Sequence, residues 1–255
     1  AWLLHKTIET YDHLPEEVKA ELQGNISFEA EELSTWGEVA EGLAVAIRDD
    51  GIISQFDGWM ELRELDWERY RQKYDNIRRM DRILKAENDS PNRYKVSKQA
   101  DMLMTFYLMA PGQVKQMLER MGYDVGDETE LIRKNYEYYI RRTSHGSTLS
   151  YVVHSAIARY IPGYRRQAWK WFIEAMRSDR YDTQGGTTPE GIHCGVMAGT
   201  VAIILENFAG INLFADHLSL APELPREWSN LAFKIEQRGR LFDIQIGKHE
   251  VMIER

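Results

Sequence analysis

Hydrophobic positions along most of the 255-residue chain recur every three and four residues, which is the period of amphipathic helices. Clusters of Gly, Pro and Asn separate the periodic stretches and mark their ends. The pattern predicts helices over 2–12, 29–48, 66–86, 97–109, 111–121, 127–140, 149–160, 163–178 and 191–208. The chain up to about residue 210 is therefore predicted to be mainly α-helical.

The pattern changes after Gly210. Prolines interrupt the helical spacing, and two runs of alternating apolar and polar residues follow, over 231–237 and 241–246. Arg238 and Gly239 separate these runs, as expected for a β-hairpin turn. We therefore expect a helical domain over 1–210 and the start of a small β-domain over 211–255.

Polar clusters stand at the predicted starts of three helices. Because an antiparallel helix returns the chain between them, all three starts should lie at one end of the array. They are about 45 to 50 residues apart, which fits one helical hairpin per repeat, and with 2–12 and 29–48 the hairpins form roughly half of a closed ring. Unpaired N–H groups at helix starts favour an anion or sugar hydroxyls. The clusters are Ser97-Lys98-Gln99, Ser147-Thr148 with Ser150, and Thr188 with Glu190 and His193.

Composition narrows the classes of partner. The formal net charge is −8 with both signs mixed along the chain, so no basic stripe suits nucleic acid. The only cysteine, Cys194, excludes an internal disulfide, and no apolar run reaches membrane-spanning length. No His-x3-His or Cys-x2-Cys spacing indicates a metal. We expect a soluble cytoplasmic protein with neither a metal nor a cofactor.

Three short motifs occur in order along the helical part. They are Lys98-Gln99-Ala100-Asp101, the stretch 143–150, and Glu190-Gly191-Ile192-His193 followed by Met197-Ala198-Gly199-Thr200. This set resembles glycoside hydrolase family 65, which includes maltose, trehalose and kojibiose phosphorylases and some glucosidases. The resemblance covers about residues 1–210 and implies the C-terminal half of an (α/α)6 toroid. The tail resembles the start of the family's C-terminal β-sandwich.

The resemblance also implies roles for individual residues. Lys98 and Gln99 would contact the glucosyl unit of a disaccharide or sugar phosphate. Ser147, Thr148 and His193 would hold inorganic phosphate, the co-substrate that attacks the anomeric carbon with inversion. We expect His145 to orient its loop through a hydrogen bond.

The general-acid Glu of the family lies in an Asp-Glu-Tyr-like motif that this sequence lacks. The opening stretch "AWLLHKTI" resembles the helix that follows the acid, and it begins without an initiator Met or an N-cap. We therefore expect the acid just before Ala1, in an N-terminal remainder of the same enzyme. The chain alone would be inactive, because losing a general acid lowers a rate on the order of 10²–10⁴.

Three functions stay open at this point. The first is the disaccharide phosphorylase, and the second is an α-glucosidase or trehalase-type hydrolase in which Glu190 activates water. The third is a helical interaction scaffold, in which the hydroxyl groups are ordinary helix caps. Oligomeric state is also open, a homodimer included. Two further residues, His154 and Trp59, are interpreted as core side chains.

Overall fold

The computed structural model describes residues 1–186, 188–212 and 217–254, and the side chain of Glu190 lies outside this description. A π-helical turn, Ile204–Phe208, continues the last helix. The α-helices are α1 Trp2–Asp12, α2 Glu16–Ile26, α3 Glu32–Gly42, α4 Trp67–Lys73, α5 Met80–Ala86, α6 Met104–Leu108, α7 Pro111–Arg120, α8 Glu128–Ile140, α9 Leu149–Ala158, α10 Arg165–Arg177 and α11 Cys194–Ile203. Within the described residues, no helix is long and apolar enough to cross a bilayer.

The predicted helices agree best with the structure where the apolar spacing is long and regular, as in α1 and α7 to α10. Two predictions need correction. The predicted helix 29–48 is shorter in the structure, where it corresponds to α3. Helix α2 forms in a stretch for which no helix was predicted. The predicted helix 66–86 is two helices, because the Asn76 side-chain oxygen accepts the backbone N–H of Arg78 at 2.9 Å. Such a local turn competes with the helical hydrogen bonds.

Helix α9 lies at the centre of the helical part. Its residues from Ser150 to Ala158 are all buried, and it packs against α6, α8, α10 and α11. The aromatic side chains of α8 and α10 contribute to this core through the buried Tyr136 and Phe172. Trp59 is also a core residue, 1% exposed, as predicted. Successive antiparallel helices around α9 give the arc of an incomplete α/α toroid.

The C-terminal part is an antiparallel sheet of strands β1 Asn230–Gln237, β2 Arg240–Gly247 and β3 Val251–Glu254, in the order β1-β2-β3. The predicted hairpin is confirmed, and its turn residues Arg238 and Gly239 both have positive φ, 53° and 72°. β3 was not predicted. Ile244 and Ile246 of β2 pack on Ala209 and Ile211, so the sheet shares a small core with the end of the helical part.

The contact between α9 and α11 has no room for a side chain at Gly199. An added Cβ would lie 2.7 Å from Cγ1 of Val152, a β-branched residue with little rotamer freedom. We expect Gly199→Ala to lower the free energy of unfolding by roughly 1–3 kcal/mol through overpacking. Gly195→Ala on the same helix meets open space and should be neutral or stabilising. Urea denaturation of both variants measures the difference, and equal effects would contradict the close-packing argument.

Candidate functional site

The first part of the site is a short backbone ladder that joins two predicted motifs. Ser97 N–H donates to the Arg142 carbonyl at 2.8 Å, and Ser144 N–H donates to the Ser97 carbonyl at 2.9 Å. Gly146 N–H then donates to the Lys98 carbonyl at 2.8 Å. The prediction that Ser97 caps a helix over 97–109 is therefore wrong. Ser97 and Lys98 use their backbone groups for tertiary pairing, and α6 starts only at Met104.

The ladder places Lys98 directly against Gly146. A Cβ added at position 146 would lie 3.1 Å from Lys98 Cγ and 2.6 Å from the backbone oxygen of Arg78. Only glycine fits where these three chain segments meet, because a Cβ would collide with its neighbours. The Lys98 side chain is exposed, and among the described residues it forms no ion pair. Its ammonium group is available to a ligand.

Gln99 takes part in a polar network behind Lys98. Its amide nitrogen donates to Asp101 Oδ1 at 2.9 Å, and Gln55 donates to the other carboxylate oxygen at 3.3 Å. The Ser97 hydroxyl in turn donates to the Gln55 side-chain oxygen. The network fixes the orientation of the Gln99 amide. The sequence analysis missed Gln55, which lies more than forty residues upstream of its partners.

The second part of the site is the start of α9. Thr148 occupies the N-cap position, but no side chain of its own turn caps the helix. With its amide oxygen facing the helix, Gln184 instead accepts the backbone N–H groups of Thr148 at 2.7 Å and Ser147 at 3.0 Å. In this orientation of the amide, two of the N–H groups at the helix start are paired with a side chain from another loop. The Thr148 hydroxyl oxygen is buried and has no hydrogen-bond partner among the described residues.

Two histidines, the half-buried His145 and the buried His154, are linked through Ser150 at the same helix start. His154 Nδ1 lies 2.7 Å from the Ser150 carbonyl, which can only accept, so this nitrogen carries the proton. The Ser150 hydroxyl can then donate to His145 Nδ1 at 2.9 Å, which places the His145 proton on Nε2. His154 is a core residue, as predicted, although its Nε2 is buried without a partner.

Both imidazoles are neutral at physiological pH. Burial lowers the pKa of His145 well below its ordinary value, and the nearby His154, Arg78 and Lys170 lower it further. Burial also lowers the pKa of His154 to about 4, although the hydrogen bond to Ser150 opposes this shift. His145 has φ 55° and packs against the rings of Tyr151 and Trp171. Its role in orienting the loop stays a prediction.

The third part of the site is the loop between α10 and α11. Asp179 accepts twice from His193, at 2.6 Å from ring Nδ1 and at 2.9 Å from the backbone N–H. The His193 ring is thereby held with Nε2 as its free nitrogen. The Thr188 hydroxyl donates to the Asp179 carbonyl at 2.8 Å. Gln184, which pairs with the start of α9, belongs to this same loop.

The predicted helix 191–208 needs a correction at its start. Thr188 and Glu190 belong to a separate 3-10 turn, Thr188–Glu190, and α11 begins at Cys194 with His193 at the N-cap position. The reason is that Thr188 is bonded to Asp179 across the loop instead of capping the helix. The prediction for the Glu190 side chain lies outside the described residues, so it is left as an expectation.

Arg78 connects the loop to the rest of the site. Its guanidinium donates to the Thr183 carbonyl at 2.6 Å and to Glu174 Oε2 of α10 at 3.3 Å. Its own carbonyl is the backbone oxygen packed against Gly146. Arg78 thus contacts Gly146 through its carbonyl, beside Lys98, and the loop that carries His193 through its guanidinium.

Sequence reasoning missed Gln184, Asp179 and Arg78. Each bonds to a backbone group or to a residue distant in the chain, so local spacing gave no signal for them. The stretch "DTQGG" does contain the polar and glycine residues typical of an ordered loop.

Two models of one protein family match most of this chain. Residues 1–202 match the family model of the glycosyl hydrolase family 65 central catalytic domain, and residues 211–255 match the family's C-terminal domain. The chain belongs to glycosyl hydrolase family 65.

Individual relatives are similar over most of this chain. An uncharacterized glycosyl hydrolase of Mycobacterium tuberculosis H37Rv is 40% identical over 246 residues, covering 96% of this chain and 18% of the relative. The trehalose 6-phosphate phosphorylase of Lactococcus lactis is 37% identical over 216 residues, covering 85% of this chain and 28% of the relative. This chain therefore spans less than a third of the length of these relatives.

A solved structure shows the same fold. A human-microbiome protein described as a putative kojibiose phosphorylase superimposes with a TM-score of 0.70 at 24% sequence identity. The superposition covers 99% of this chain and 33% of that protein.

The buried His154 predicts a pH dependence of stability. Its pKa falls from 6.5 to about 4 on folding, so the unfolded chain binds a proton that the folded chain excludes. The contribution of neutral His154 to the free energy of unfolding is fully present above pH 6.5. As the pH drops towards 4, this contribution falls by about 3 kcal/mol. His154→Asn, whose amide N–H can replace the Nδ1 donor, should flatten this slope.

Urea unfolding at several pH values between 4 and 7 measures the slope. His249→Asn, at an exposed turn of the sheet, is the matched control and should keep the wild-type slope. An unchanged slope in His154→Asn would show that other groups dominate the pH dependence.

Proposed function

We propose that this chain forms the phosphate-binding and donor-sugar part of an inverting disaccharide phosphorylase that cleaves an α-glucosidic bond with inorganic phosphate. The observation that carries the proposal is the packing of the Lys98 segment on Gly146, together with the contact of Gln184, on the loop that carries His193, with the start of α9. The similarity to a trehalose 6-phosphate phosphorylase supports the reaction class.

The donors left open at this place suit an anion and a sugar. The Thr148 hydroxyl is buried without a partner, and a buried hydroxyl normally finds one. The Ser147 side chain is half-buried, and its hydroxyl has no hydrogen bond within the described part of the chain. His193 Nε2 is held in place by the bond of Nδ1 to Asp179. We assign these three groups to phosphate, and Lys98 with Gln99 to the glucosyl unit.

In the proposed reaction a phosphate oxygen bonds to the anomeric carbon while the glycosidic C–O bond breaks on the opposite face. The departing sugar oxygen takes a proton from a general acid. Phosphate thus replaces the activated water of an inverting hydrolase. We expect the acid to be a Glu in the part of the enzyme that precedes Ala1, so the chain alone would bind substrates without turning them over.

The decisive measurement is phosphate dependence in the full-length protein. We expect release of β-glucose 1-phosphate from an α-linked glucosyl disaccharide, with a rate that rises and saturates with phosphate. Equal cleavage without phosphate would contradict the proposal and favour the hydrolase. In that case Glu190→Gln should abolish cleavage, whereas a phosphorylase would not need Glu190 to activate water.

The assigned role of His193 gives a second test. We expect His193→Gln to raise KM for phosphate by about tenfold or more, because about 1.4 kcal/mol of binding corresponds to a factor of ten. Steady-state kinetics with varied phosphate at saturating sugar measures this. His249→Gln, at the exposed turn of the sheet, is the control and should match the wild type. An unchanged phosphate KM in His193→Gln would remove this residue from the phosphate site.

A further inference from the structure

The Gln184 amide lies at the start of α9, a place where proteins commonly bind anions. Its side chain is 5% exposed, and its amide oxygen accepts the two backbone N–H groups at the start of α9. Those donors and the helix dipole are what normally attract a phosphate oxygen to a helix start. With these two N–H groups taken, the unpaired, buried Thr148 hydroxyl is a remaining candidate donor to phosphate at this helix start.

The same contact joins the two segments that carry the proposed phosphate ligands. Ser147 and Thr148 lie on the α9 start, whereas His193 lies on the loop that contains Gln184. Two hydrogen bonds to one side chain fix this loop against the helix start. The loop is held separately by Asp179 and Arg78, so Gln184 is the contact that reaches the hydroxyl-bearing turn itself.

If only the stability of the fold mattered, a negatively charged side chain would be favoured over a neutral one at this helix start. A glutamate has the same length, could accept the same two N–H groups, and would bond more strongly to a positive helix terminus. Its charge, however, would repel a phosphate held by the adjacent hydroxyls. The amide keeps the geometry without the charge.

We propose that Gln184 is a positioning and specificity-determining residue of the phosphate site: its neutral amide aligns Ser147 and Thr148 with the His193 loop while leaving the site open to an anion. This inference rests on the proposed function, and it adds a residue and an electrostatic requirement to it. A purely structural cap would tolerate a carboxylate in place of the amide.

The test compares Gln184→Glu with the wild type in the full-length protein. We expect an equal or higher Tm, because the carboxylate still caps α9, together with a phosphate KM raised at least tenfold and a smaller change in kcat. Gln184→Met, which cannot accept the two N–H groups, should lower Tm and also raise the phosphate KM. Gln167→Glu adds the same charge near the start of α10 and serves as the control.

The outcomes separate this inference from the proposed function. A wild-type enzyme that needs no phosphate contradicts the proposed function. A phosphate-dependent wild type with an unchanged phosphate KM in Gln184→Glu contradicts only the role of Gln184. A measurement without turnover is the rise of Tm with added inorganic phosphate. We expect it in the wild type and in Gln167→Glu but not in Gln184→Glu, and equal rises, or none in the wild type, would overturn the inference.

Discussion

Three backbone hydrogen bonds between residues 97–98 and 142–146 determine where the rest of the candidate site lies. They hold the Lys98 segment beside the turn that leads into α9, and they bring Gly146 so close to the Arg78 carbonyl that no Cβ fits. Backbone bonds do not depend on side-chain rotamers, so this part of the site is fixed before any ligand arrives. The exposed Lys98 side chain can change its rotamer, whereas its backbone is held by the hydrogen bonds.

Around this ladder, several polar groups are held by hydrogen-bond partners, whereas the Thr148 hydroxyl and His154 Nε2 are buried without one within the described residues. Asp179 takes both donors of His193, and Gln184 takes both N–H groups at the start of α9. The two histidines near Ser150 stay neutral because burial excludes their charged forms. The two imidazoles therefore contribute no positive charge to the candidate site at physiological pH.

The sequence predicted the helices whose apolar spacing spans several turns, such as α8 and α10, because burial of one face decides their structure. It also predicted the hairpin from two alternating runs and a turn pair. It failed at 97–109, where a helix-like pattern is overridden by pairing with a segment more than forty residues away. The three motifs identified the segments of the site, but Gln184 and Arg78 act on backbone atoms, which carry no residue-specific signal. Their roles could emerge only from the folded chain.

Arg78 contacts both parts of the candidate site: the Lys98 segment with Gly146, and the loop that carries His193. Its carbonyl packs on Gly146 beside the Lys98 segment, and its guanidinium holds the Thr183 carbonyl in the His193 loop. A molecule that orders one half consequently reduces the conformational freedom left in the other. Thermodynamic linkage makes such coupling mutual: if the sugar strengthens the hold on the anion, the anion strengthens the hold on the sugar by the same factor. In the proposed phosphorylase, sugar and phosphate would then bind with synergy without sharing a ligand residue.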